Sequence, residues 1–353
     1  MKAILVSAEG RELVDIPVPQ PQENEILVKN VAAGSNPRDW KIPLVIDNYS
    51  AIEGRDLAGY VEAVGPGVNK FKKGDKVGGF TKMHVNSRYG TYAEYSICPT
   101  NTAFLLGPKT SFEDAAALPL AYITAAIGSF VNLGLPTPDR PAQDDHPAVL
   151  VWGGATSVGV YVIQLLKKAN LRVVAVAGSS TSVPTSYGAD SVLDYRGKSH
   201  GELVDTVTSA AGGSIRYAFD CVSENGTLEV IAEALGCLSA QDGKGKATPK
   251  VTYILPASDE QMQLYKKHGV GFQRTMCAVA YGDDLWGDES IFAEHWFDRL
   301  GEWLERGEFK AQKVTVVPGG LAGVAEGLRR LKEGEVRGEK LVYRIAETPG
   351  LEQ

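Results

Sequence analysis

The chain has few cysteines, and they are not grouped. Its 353 residues include only four, at Cys98, Cys221, Cys237 and Cys277. No two of them form a Cys-x-x-Cys pair, so the sequence contains neither a zinc-ribbon pattern nor the dense spacing of a disulfide framework. Isolated cysteines in a chain of this size are typical of reduced thiols, and we therefore expect a cytoplasmic protein.

Histidine is also scarce. The five histidines stand far apart, at His84, His146, His200, His268 and His295. A zinc ion in a protein needs three or four convergent Cys, His or carboxylate ligands, and none of these histidines has the spacing of a ligand set. We therefore expect no metal site.

Long apolar runs and excess positive charge are missing too. No apolar run reaches the roughly 18 residues of a membrane-spanning helix, which predicts no membrane partner. The formal net charge of −7 argues against a nucleic-acid-binding surface. A hydrophobic content of 44% with 39 glycines is typical of a globular α/β protein, and the length predicts two domains.

The central motif is a glycine-rich turn between a strand and a helix. Residues 148–152 are apolar, residues 153–159 read GGATSVG, and apolar residues then recur at helical spacing to Lys168. Such a turn lets the backbone approach a pyrophosphate at a helix N-terminus. Thr156 holds the middle glycine position of the dinucleotide fingerprint, so an ordinary βα turn is the alternative.

The periodicity divides the chain. Short strands separated by turns fill the first hundred residues, which predicts a compact β-rich unit. A helix capped by Ser111 should stop at Pro119, and a second helix should span Ala121 to Leu133. From residue 148, strands alternate with helices, as expected of a parallel sheet covered on both faces.

The end of the second strand in that region indicates the cofactor. NAD-binding sheets place a carboxylate about 20 residues after the glycine turn to hold the ribose 2′-hydroxyl. Here Ser179, Ser180 and Thr181 stand at that point. Hydroxyl groups can donate to a 2′-phosphate that a carboxylate would repel, so we expect NADPH, with a non-binding polar loop as the alternative.

Several motifs together resemble the medium-chain dehydrogenase/reductase superfamily. They are VEAVG at 61–65, KGDKV at 73–77, GTYAEY at 90–95, AAALP at 115–119 and GAD at 188–190. Within that superfamily the chain most resembles fungal trans-acting enoyl reductases, through NPRDWK at 36–41, VLDYR at 192–196, YAFDC at 217–221 and GEKLV at 338–342.

The resemblance implies an α/β fold in which a GroES-like β-rich catalytic domain joins a Rossmann doubly wound parallel sheet. It places the first part of the catalytic domain at 1–120, the Rossmann NADPH-binding domain at 121–284, and the C-terminal return of the catalytic domain at 285–353.

The resemblance also implies which residues contact NADPH. They are Pro37, Arg38, Asp39, Trp40, Lys41, Ala155, Thr156, Ser157, Val158, Ser179, Ser180, Thr181, Tyr195, Leu255, Pro256, Arg337 and Gly338.

The implied substrate channel has two stretches. They are Thr124, Ala125, Ala126, Ile127, Gly128, Ser129, Phe130 and Val131, and then Ala278, Val279, Ala280 and Tyr281. The second stretch belongs to an apolar run, 275–281, for which a buried strand is the simpler interpretation.

The resemblance also predicts whether the protein uses a metal ion and which reaction it catalyses. Zinc members of the superfamily carry Gly-His-Glu where this chain has Gly54-Arg55-Asp56, so we expect a zinc-independent enzyme. Without zinc to polarise a carbonyl, the natural reaction is conjugate reduction of an activated alkene. Lys41 is our candidate for a polar catalytic group, and a contact with a cofactor phosphate is its alternative role.

Positive charge near the C-terminus has two interpretations. The basic residues there are Arg329, Arg330, Lys332, Arg337 and Lys340. They could receive an acidic carrier protein of a polyketide synthase. A solvated helix face with Glu326, Glu333 and Glu335 is the alternative.

We therefore expect an NADPH-dependent oxidoreductase acting on C=C bonds, most simply a trans-acting enoyl reductase that reduces carrier-bound polyketides in secondary metabolism. One alternative is a quinone or 2-alkenal reductase acting on free small molecules. Another, from a different class, is a catalytically idle NADPH-binding scaffold.

Overall fold

The computed structural model describes residues 1–7, 9–83, 86–143, 147–210, 215–241, 248–282 and 287–351. Contacts divide the chain into two units, of which the first joins Met1–Ile123 to Ala278–Gln353 and the second is Thr124–Cys277. The sequence predicted divisions after residues 120 and 284. The second of those predicted divisions lies outside the described residues.

Sixteen strands occur in the described residues. They are β1 (Lys2–Ser7), β2 (Arg11–Asp15), β3 (Glu25–Gly34), β4 (Ser50–Ile52), β5 (Asp56–Val64), β6 (Lys76–Phe80), β7 (Tyr95–Pro99), β8 (Ala103–Leu105), β9 (Ala148–Trp152), β10 (Val173–Ala177), β11 (Ser191–Asp194), β12 (Ile215–Asp220), β13 (Lys250–Tyr253), β14 (Gly271–Arg274), β15 (Val314–Val316) and β16 (Lys340–Arg344).

Ten α-helices occur in the same residues. They are α1 (Arg38–Lys41), α2 (Phe112–Ala116), α3 (Pro119–Ala126), α4 (Ser157–Lys168), α5 (Ser182–Ser186), α6 (His200–Ala210), α7 (Thr227–Gln241), α8 (Asp259–Lys267), α9 (Ser290–Arg306) and α10 (Val324–Lys332). Within the described part of the chain, no helix has both the length and the apolar character needed to cross a membrane.

The first unit is built on a seven-stranded sheet. Its strands run in the order β15-β16-β3-β5-β6-β8, and β7 pairs with β3 outside that path. The last strand of the chain, β16, pairs antiparallel with β3, with Val342 opposite Gly34. A smaller sheet, β2-β1-β4, completes the strands of this unit. This β-rich unit has the GroES-like character that the resemblance implied.

The second unit is a six-stranded parallel sheet in the order β11-β10-β9-β12-β13-β14. Counted from β9, this is the 3-2-1-4-5-6 order of dinucleotide-binding sheets, and the order reverses between β9 and β12. All residues of β9 and β10 are buried, as expected of central parallel strands. The predicted Rossmann sheet is therefore confirmed.

Two helix predictions need correction. The helix capped by Ser111 ends at Ala116, and α3 already begins at Pro119, because proline suits the first helical position, where its missing N–H loses no bond. The predicted helix to Leu133 is α-helical only to Ala126 and continues as a π-helix, Ile127–Asn132. The wider winding is visible in the hydrogen bond from Leu133 N to Gly128 O.

The strand interpretation of residues 275–281 is wrong. Cys277–Tyr281 forms a 3₁₀ helix in which Ala278 and Ala280 are fully buried. A short apolar run does not distinguish a buried strand from a short buried helix, because most side chains are buried in either structure.

The core of the first unit gives a stability prediction. Phe297 on α9 is fully buried, and its ring centroid lies 5.9 Å from that of Phe104 and 6.0 Å from that of Tyr122. Replacing Phe297 by alanine should lower the free energy of unfolding by about 3–5 kcal/mol, because contacts are lost and a cavity remains. Thermal and urea denaturation measure this loss.

Ile291 on the same helix is the matched control, because it is 85% exposed. Its replacement by alanine should change the stability by about 0.5 kcal/mol or less. Equal denaturation midpoints for the two variants would contradict the assignment of Phe297 to the core.

Candidate functional site

The second unit gathers its predicted cofactor residues at one edge of the sheet. Ala155–Val158 follow β9, Ser179–Thr181 follow β10, Tyr195 follows β11, and Leu255 and Pro256 lie beyond β13. The strands are parallel, so their carboxyl ends meet at this edge. The edge includes the point between β9 and β12 where strand order reverses, which is where such sheets bind ligands.

The glycine turn has a geometry that fits a dinucleotide phosphate. Gly153 has a φ of +80°, and a Cβ there would lie 2.6 Å from Val222 Cγ2. Thr156 caps α4, and its Oγ1 accepts a hydrogen bond of 3.1 Å from Gly159 N. The positive end of the twelve-residue helix α4 therefore opens directly onto the turn. Threonine replaces the middle glycine of the fingerprint because the helix uses its side chain as a cap.

Tyr195 lies beside the hydroxyl-rich loop. A Cβ built on Gly178 would stand 2.7 Å from the Tyr195 hydroxyl oxygen, so the phenol ring covers the start of the Ser179–Thr181 loop. The nearby carboxylate of Asp194 is already paired, with Arg196 Nη2 at 2.6 Å from Oδ2. The Arg196 hydrogen bonds lower the pKa of Asp194 to about 2. Two predicted contact segments that are separated in sequence are thus neighbours.

In the first unit, the predicted cofactor loop is a short, braced helix. Asn36 N donates to Asp39 Oδ2 at 2.8 Å, and Asp39 N donates back to Asn36 O at 3.0 Å. These reciprocal bonds start α1, which ends at Lys41. The Lys41 ammonium lies 5.5 Å from the centre of the Trp40 ring.

The predicted turn at Arg337 and Gly338 leads directly into β16. Gly338 has a φ of +66°, a left-handed conformation that glycine adopts without steric cost. Arg337 Nε donates to Gly334 O at 3.5 Å. The structure therefore brings this turn into the first unit, immediately before Lys340.

A group of charged side chains lies beneath this loop, and we call it the buried charge cluster. Its members are Arg38, Asp39, Glu53, Arg55, Asp56 and Lys340. Three are cations and three are carboxylates, so the cluster is electrically balanced. Buried charges are tolerated in proteins when they are paired and hydrogen-bonded in this way.

Glu53 is the centre of one half of the cluster. It is fully buried, and its Oε2 accepts from Arg38 Nη1 at 2.5 Å while its Oε1 accepts from Arg55 Nη2 at 3.1 Å. Arg38 Nη2 also donates to Met83 O at 3.1 Å, and Met83 N donates to the Tyr281 hydroxyl oxygen at 2.9 Å. One predicted substrate residue is therefore linked to the predicted cofactor loop within the first unit.

Asp39 faces the interior of the first unit. Its carboxylate is fully buried and accepts a 2.6 Å hydrogen bond from the Tyr92 hydroxyl group. Burial, aided by the Glu53 carboxylate, raises the pKa of Asp39 to about 6. The Asp39 side chain thus braces the loop from inside, and any contact between Asp39 and a cofactor falls to its backbone.

The residues where zinc members carry Gly-His-Glu do not suit a metal ion. Arg55 is fully buried and donates to Gly54 O at 2.7 Å, while Asp56 pairs with Lys340 at 3.0 Å. The nearby carboxylates of Glu53 and Asp56 are already engaged by Arg55 and Lys340, so the arrangement does not offer a ligand set for a metal ion. Within the described residues, no three His, Cys, Asp or Glu side chains form a metal-binding group, and His84 and His146 lie outside those residues.

The two predicted substrate stretches lie in different units. Thr124–Val131 forms the end of α3 and the π-helix, and all of it is buried except Val131, which is 36% exposed. Ala278–Tyr281 belongs to the 3₁₀ helix, where Val279 is partly exposed. Asn101 Nδ2 holds this helix through Ala280 O at 2.7 Å. The exposed members of the predicted channel are thus Val131 and Val279.

The predicted basic cluster near the C-terminus is smaller than the sequence suggested. Arg329 is paired with the carboxylates of Glu326, Glu333 and Glu335. Lys340 does not belong to the surface at all, because it is only 3% exposed. The interpretation as a solvated helix face therefore describes Arg329 better than a docking surface does.

The internal ion pairs of Glu53, Asp56 and Lys340 were not predicted from the sequence. A usable signal was present, because residues 53–56 read EGRD between the buried residues Ile52 and Leu57. Three charges within an otherwise buried run predict internal ion pairs. Only the pairing of Asp56 with Lys340, which are 284 residues apart, required the structure.

Comparisons with known proteins agree with this architecture. Residues 22–108 match the family described as the alcohol dehydrogenase GroES-like domain. A trans-enoyl reductase of Gibberella fujikuroi is 34% identical over 334 residues, which cover 92% of this chain and 92% of that protein.

Solved structures show the same fold. An alcohol dehydrogenase superfamily protein from Novosphingobium aromaticivorans superposes with a TM-score of 0.77 at 23% identity, covering 98% of this chain and 99% of that one. A mycobacterial protein solved in complex with NADPH superposes with a TM-score of 0.69 at 22% identity, covering 97% and 99%. With the site geometry above and the relationship along nearly the whole sequence, the chain belongs to the trans-enoyl reductase family of the medium-chain dehydrogenase/reductase superfamily.

Proposed function

We propose that this protein is an NADPH-dependent enoyl reductase that acts in the cytoplasm on carrier-bound polyketide intermediates, in trans to a polyketide synthase. The observation that carries the proposal is the assembly of the predicted cofactor residues from four strands at one carboxyl edge of the Rossmann sheet. The relative from Gibberella fujikuroi is named a trans-enoyl reductase, which supports the same reaction and the same kind of partner.

The residues of the second unit are suited to binding. In the proposal, the glycine turn and the N-terminus of α4 hold the pyrophosphate, while Ser179, Ser180 and Thr181 hold the 2′-phosphate. Tyr195 covers the same loop and would pack on the adenosine portion. NADPH, when bound, supplies a hydride to the β-carbon of an activated alkene.

The residues of the first unit are suited to orientation and charge. The proposal assigns Pro37–Lys41 and the turn at Arg337 and Gly338 to the nicotinamide half of the cofactor. The buried charge cluster fixes α1, so Lys41 presents its ammonium group from a rigid element. A positive group held there could contact a phosphate or stabilise the negative charge that develops on a thioester carbonyl oxygen.

The reaction that we propose does not need a metal ion. Arg55 and Lys340 place positive charge where zinc members of the superfamily carry ligands. A thioester-activated alkene needs no Lewis acid to accept a hydride at its β-carbon, provided that the reactants are aligned and the enolate charge is stabilised.

The reaction itself is testable with labelled cofactor. An α,β-unsaturated thioester of pantetheine should be converted to the saturated thioester, with deuterium from 4-deuterated NADPH at the β-carbon. Product analysis by mass spectrometry and NMR locates the label. Deuterium on the carbonyl carbon of an alcohol would show a ketoreductase, and turnover of quinones without any thioester reduction would favour the free-substrate alternative.

The hydroxyl-rich loop predicts a cofactor preference. NADPH should bind at least about tenfold more tightly than NADH, since each charge-assisted hydrogen bond to the 2′-phosphate contributes roughly 1.5–3 kcal/mol. Replacing the exposed Ser179 by aspartate should abolish that preference, because a carboxylate repels the phosphate. Isothermal titration with both cofactors measures it.

Ser209→Asp is the matched control for charge, because Ser209 is exposed near the end of α6, away from the loop in sequence. It should leave the ratio of the two dissociation constants within about twofold of the unmodified protein. Equal affinities of the unmodified protein for NADPH and NADH would overturn the assignment of this loop.

Lys41 is tested by separating binding from turnover. If its ammonium contacts a cofactor phosphate, Lys41→Ala should raise the NADPH dissociation constant about tenfold and leave turnover at saturating cofactor nearly unchanged. If it stabilises the enolate instead, turnover should fall while binding stays the same.

We expect the effect of Lys41→Ala on binding to dominate. Lys72→Ala is the control, because the Lys72 side chain is 85% exposed. No change in either quantity for Lys41→Ala would remove Lys41 from the site.

A further inference from the structure

Lys340 takes part in a closed ring of three buried side chains. Its Nζ donates to Asn36 Oδ1 at 2.7 Å and to Asp56 Oδ2 at 3.0 Å, and Asn36 Nδ2 donates to Asp56 Oδ2 at 2.8 Å. Lys340, Asn36 and Asp56 are 3%, 4% and 0% exposed. Lys340 is the first residue of β16, Asn36 follows β3, and Asp56 begins β5. The ring therefore joins three strands that adjoin one another in one sheet.

The ring continues directly into the predicted cofactor loop. Besides its side-chain bonds, Asn36 is held by its backbone N–H, which donates to Asp39 Oδ2 at 2.8 Å. The same oxygen of Asp39 accepts from the Tyr92 hydroxyl group. Any shift of Asn36 would therefore displace the start of α1 and, with it, Lys41.

Asp56 holds a second element as well. Its Oδ1 accepts from Leu120 N at 2.7 Å, in the first turn of α3. That helix carries Thr124, Ala125 and Ala126 of the predicted substrate stretch. One buried carboxylate thus anchors the helix of the predicted substrate stretch with one oxygen and the predicted cofactor loop with the other.

The ring is not needed to attach β16 to the sheet. That strand already pairs with β3 through Val342 opposite Gly34, and Ser35 N donates to Leu341 O at 3.0 Å. Ser35 and Tyr343 add a hydroxyl–hydroxyl hydrogen bond of 2.8 Å. A buried ion pair is a weak source of stability, because the desolvation of both charges offsets their attraction. We therefore look for the effect of this ion pair in the positions of the residues that it contacts.

We propose that Lys340 is a positioning residue, which with Asp56 fixes the segment from Asn36 to Lys41 through the amide of Asn36 and so prepares this segment to bind NADPH. The role in NADPH binding rests on the proposed function. The fixed conformation of the segment does not, because every contact that defines it lies within the protein.

Two variants test the proposal. Asn36→Ala cuts the connection to the loop and leaves the Lys340–Asp56 ion pair intact. Lys340→Met with Asp56→Asn removes both charges together, so that no unpaired charge remains buried. An asparagine at position 56 can still bond to the Asn36 amide, and the double variant should therefore show the smaller effect.

Tyr343→Phe is the matched control. It removes a buried hydrogen bond between β16 and Ser35, the residue after β3, and leaves the three side chains of the ring in place. Its loss of thermal stability should be smaller than that of Asn36→Ala, since it removes one hydroxyl–hydroxyl bond whereas Asn36→Ala removes two bonds to charged groups.

The first readout is hydrogen exchange in the cofactor-free protein, followed by mass spectrometry. Peptides that cover residues 37–44 should exchange about tenfold faster in Asn36→Ala, by a smaller factor in the double variant, and at the unmodified rate in Tyr343→Phe. Unchanged exchange in Asn36→Ala or in the double variant, or equal acceleration in Tyr343→Phe, would overturn the proposal.

The second readout is NADPH affinity at a temperature where all variants are folded. The dissociation constant should rise about tenfold in Asn36→Ala and stay within about twofold in Tyr343→Phe. Altered exchange combined with no NADPH binding by the unmodified protein would show that the proposed function has failed while the positioning role holds. Unchanged NADPH affinity in Asn36→Ala would show that the segment does not prepare the cofactor site.

Discussion

The first unit depends on the balance of its buried charges. Arg38, Arg55 and Lys340 are matched by Asp39, Glu53 and Asp56 in a region from which solvent is largely excluded. Removing one partner of such a pair leaves an uncompensated charge, which typically costs about 3–5 kcal/mol. The charged side chains therefore cannot move far from one another. Because Arg38 and Asp39 of the cluster belong to α1, this helix is held in place as well.

This constraint also explains how the fold works without the metal site of its zinc-containing relatives. A guanidinium and an ammonium group occupy the region, and each already has its carboxylate. Two internal ion pairs thus stand where zinc members of the superfamily carry ligands. Conjugate reduction suits this arrangement, because it requires alignment and charge stabilisation more than Lewis acidity.

The second unit follows a different principle. The edge at which a cofactor is predicted to bind follows from strand order, since parallel strands end at a common edge and the order reverses beside β9. Two residues of the glycine turn then shape this edge, because Gly153 has a positive φ and Thr156 caps α4. Most of this unit was predictable, because each motif lies within a few residues of the strand that positions it.

The division between what the sequence determined and what only the tertiary structure decided follows the distance between interacting residues. The glycine turn and the βα alternation are local patterns, so the sequence alone predicted the Rossmann sheet, and with the hydroxyl-rich loop it predicts a cofactor site at one edge of that sheet. The π-helix after Ala126 and the 3₁₀ helix at Cys277–Tyr281 could not be predicted in this way, because an apolar run does not reveal the winding of a largely buried segment. Lys340 shows the limit most clearly. It looked like one more surface charge, and only the pairing of β16 with β3 brings it to Asn36 and Asp56, about 300 residues away in sequence.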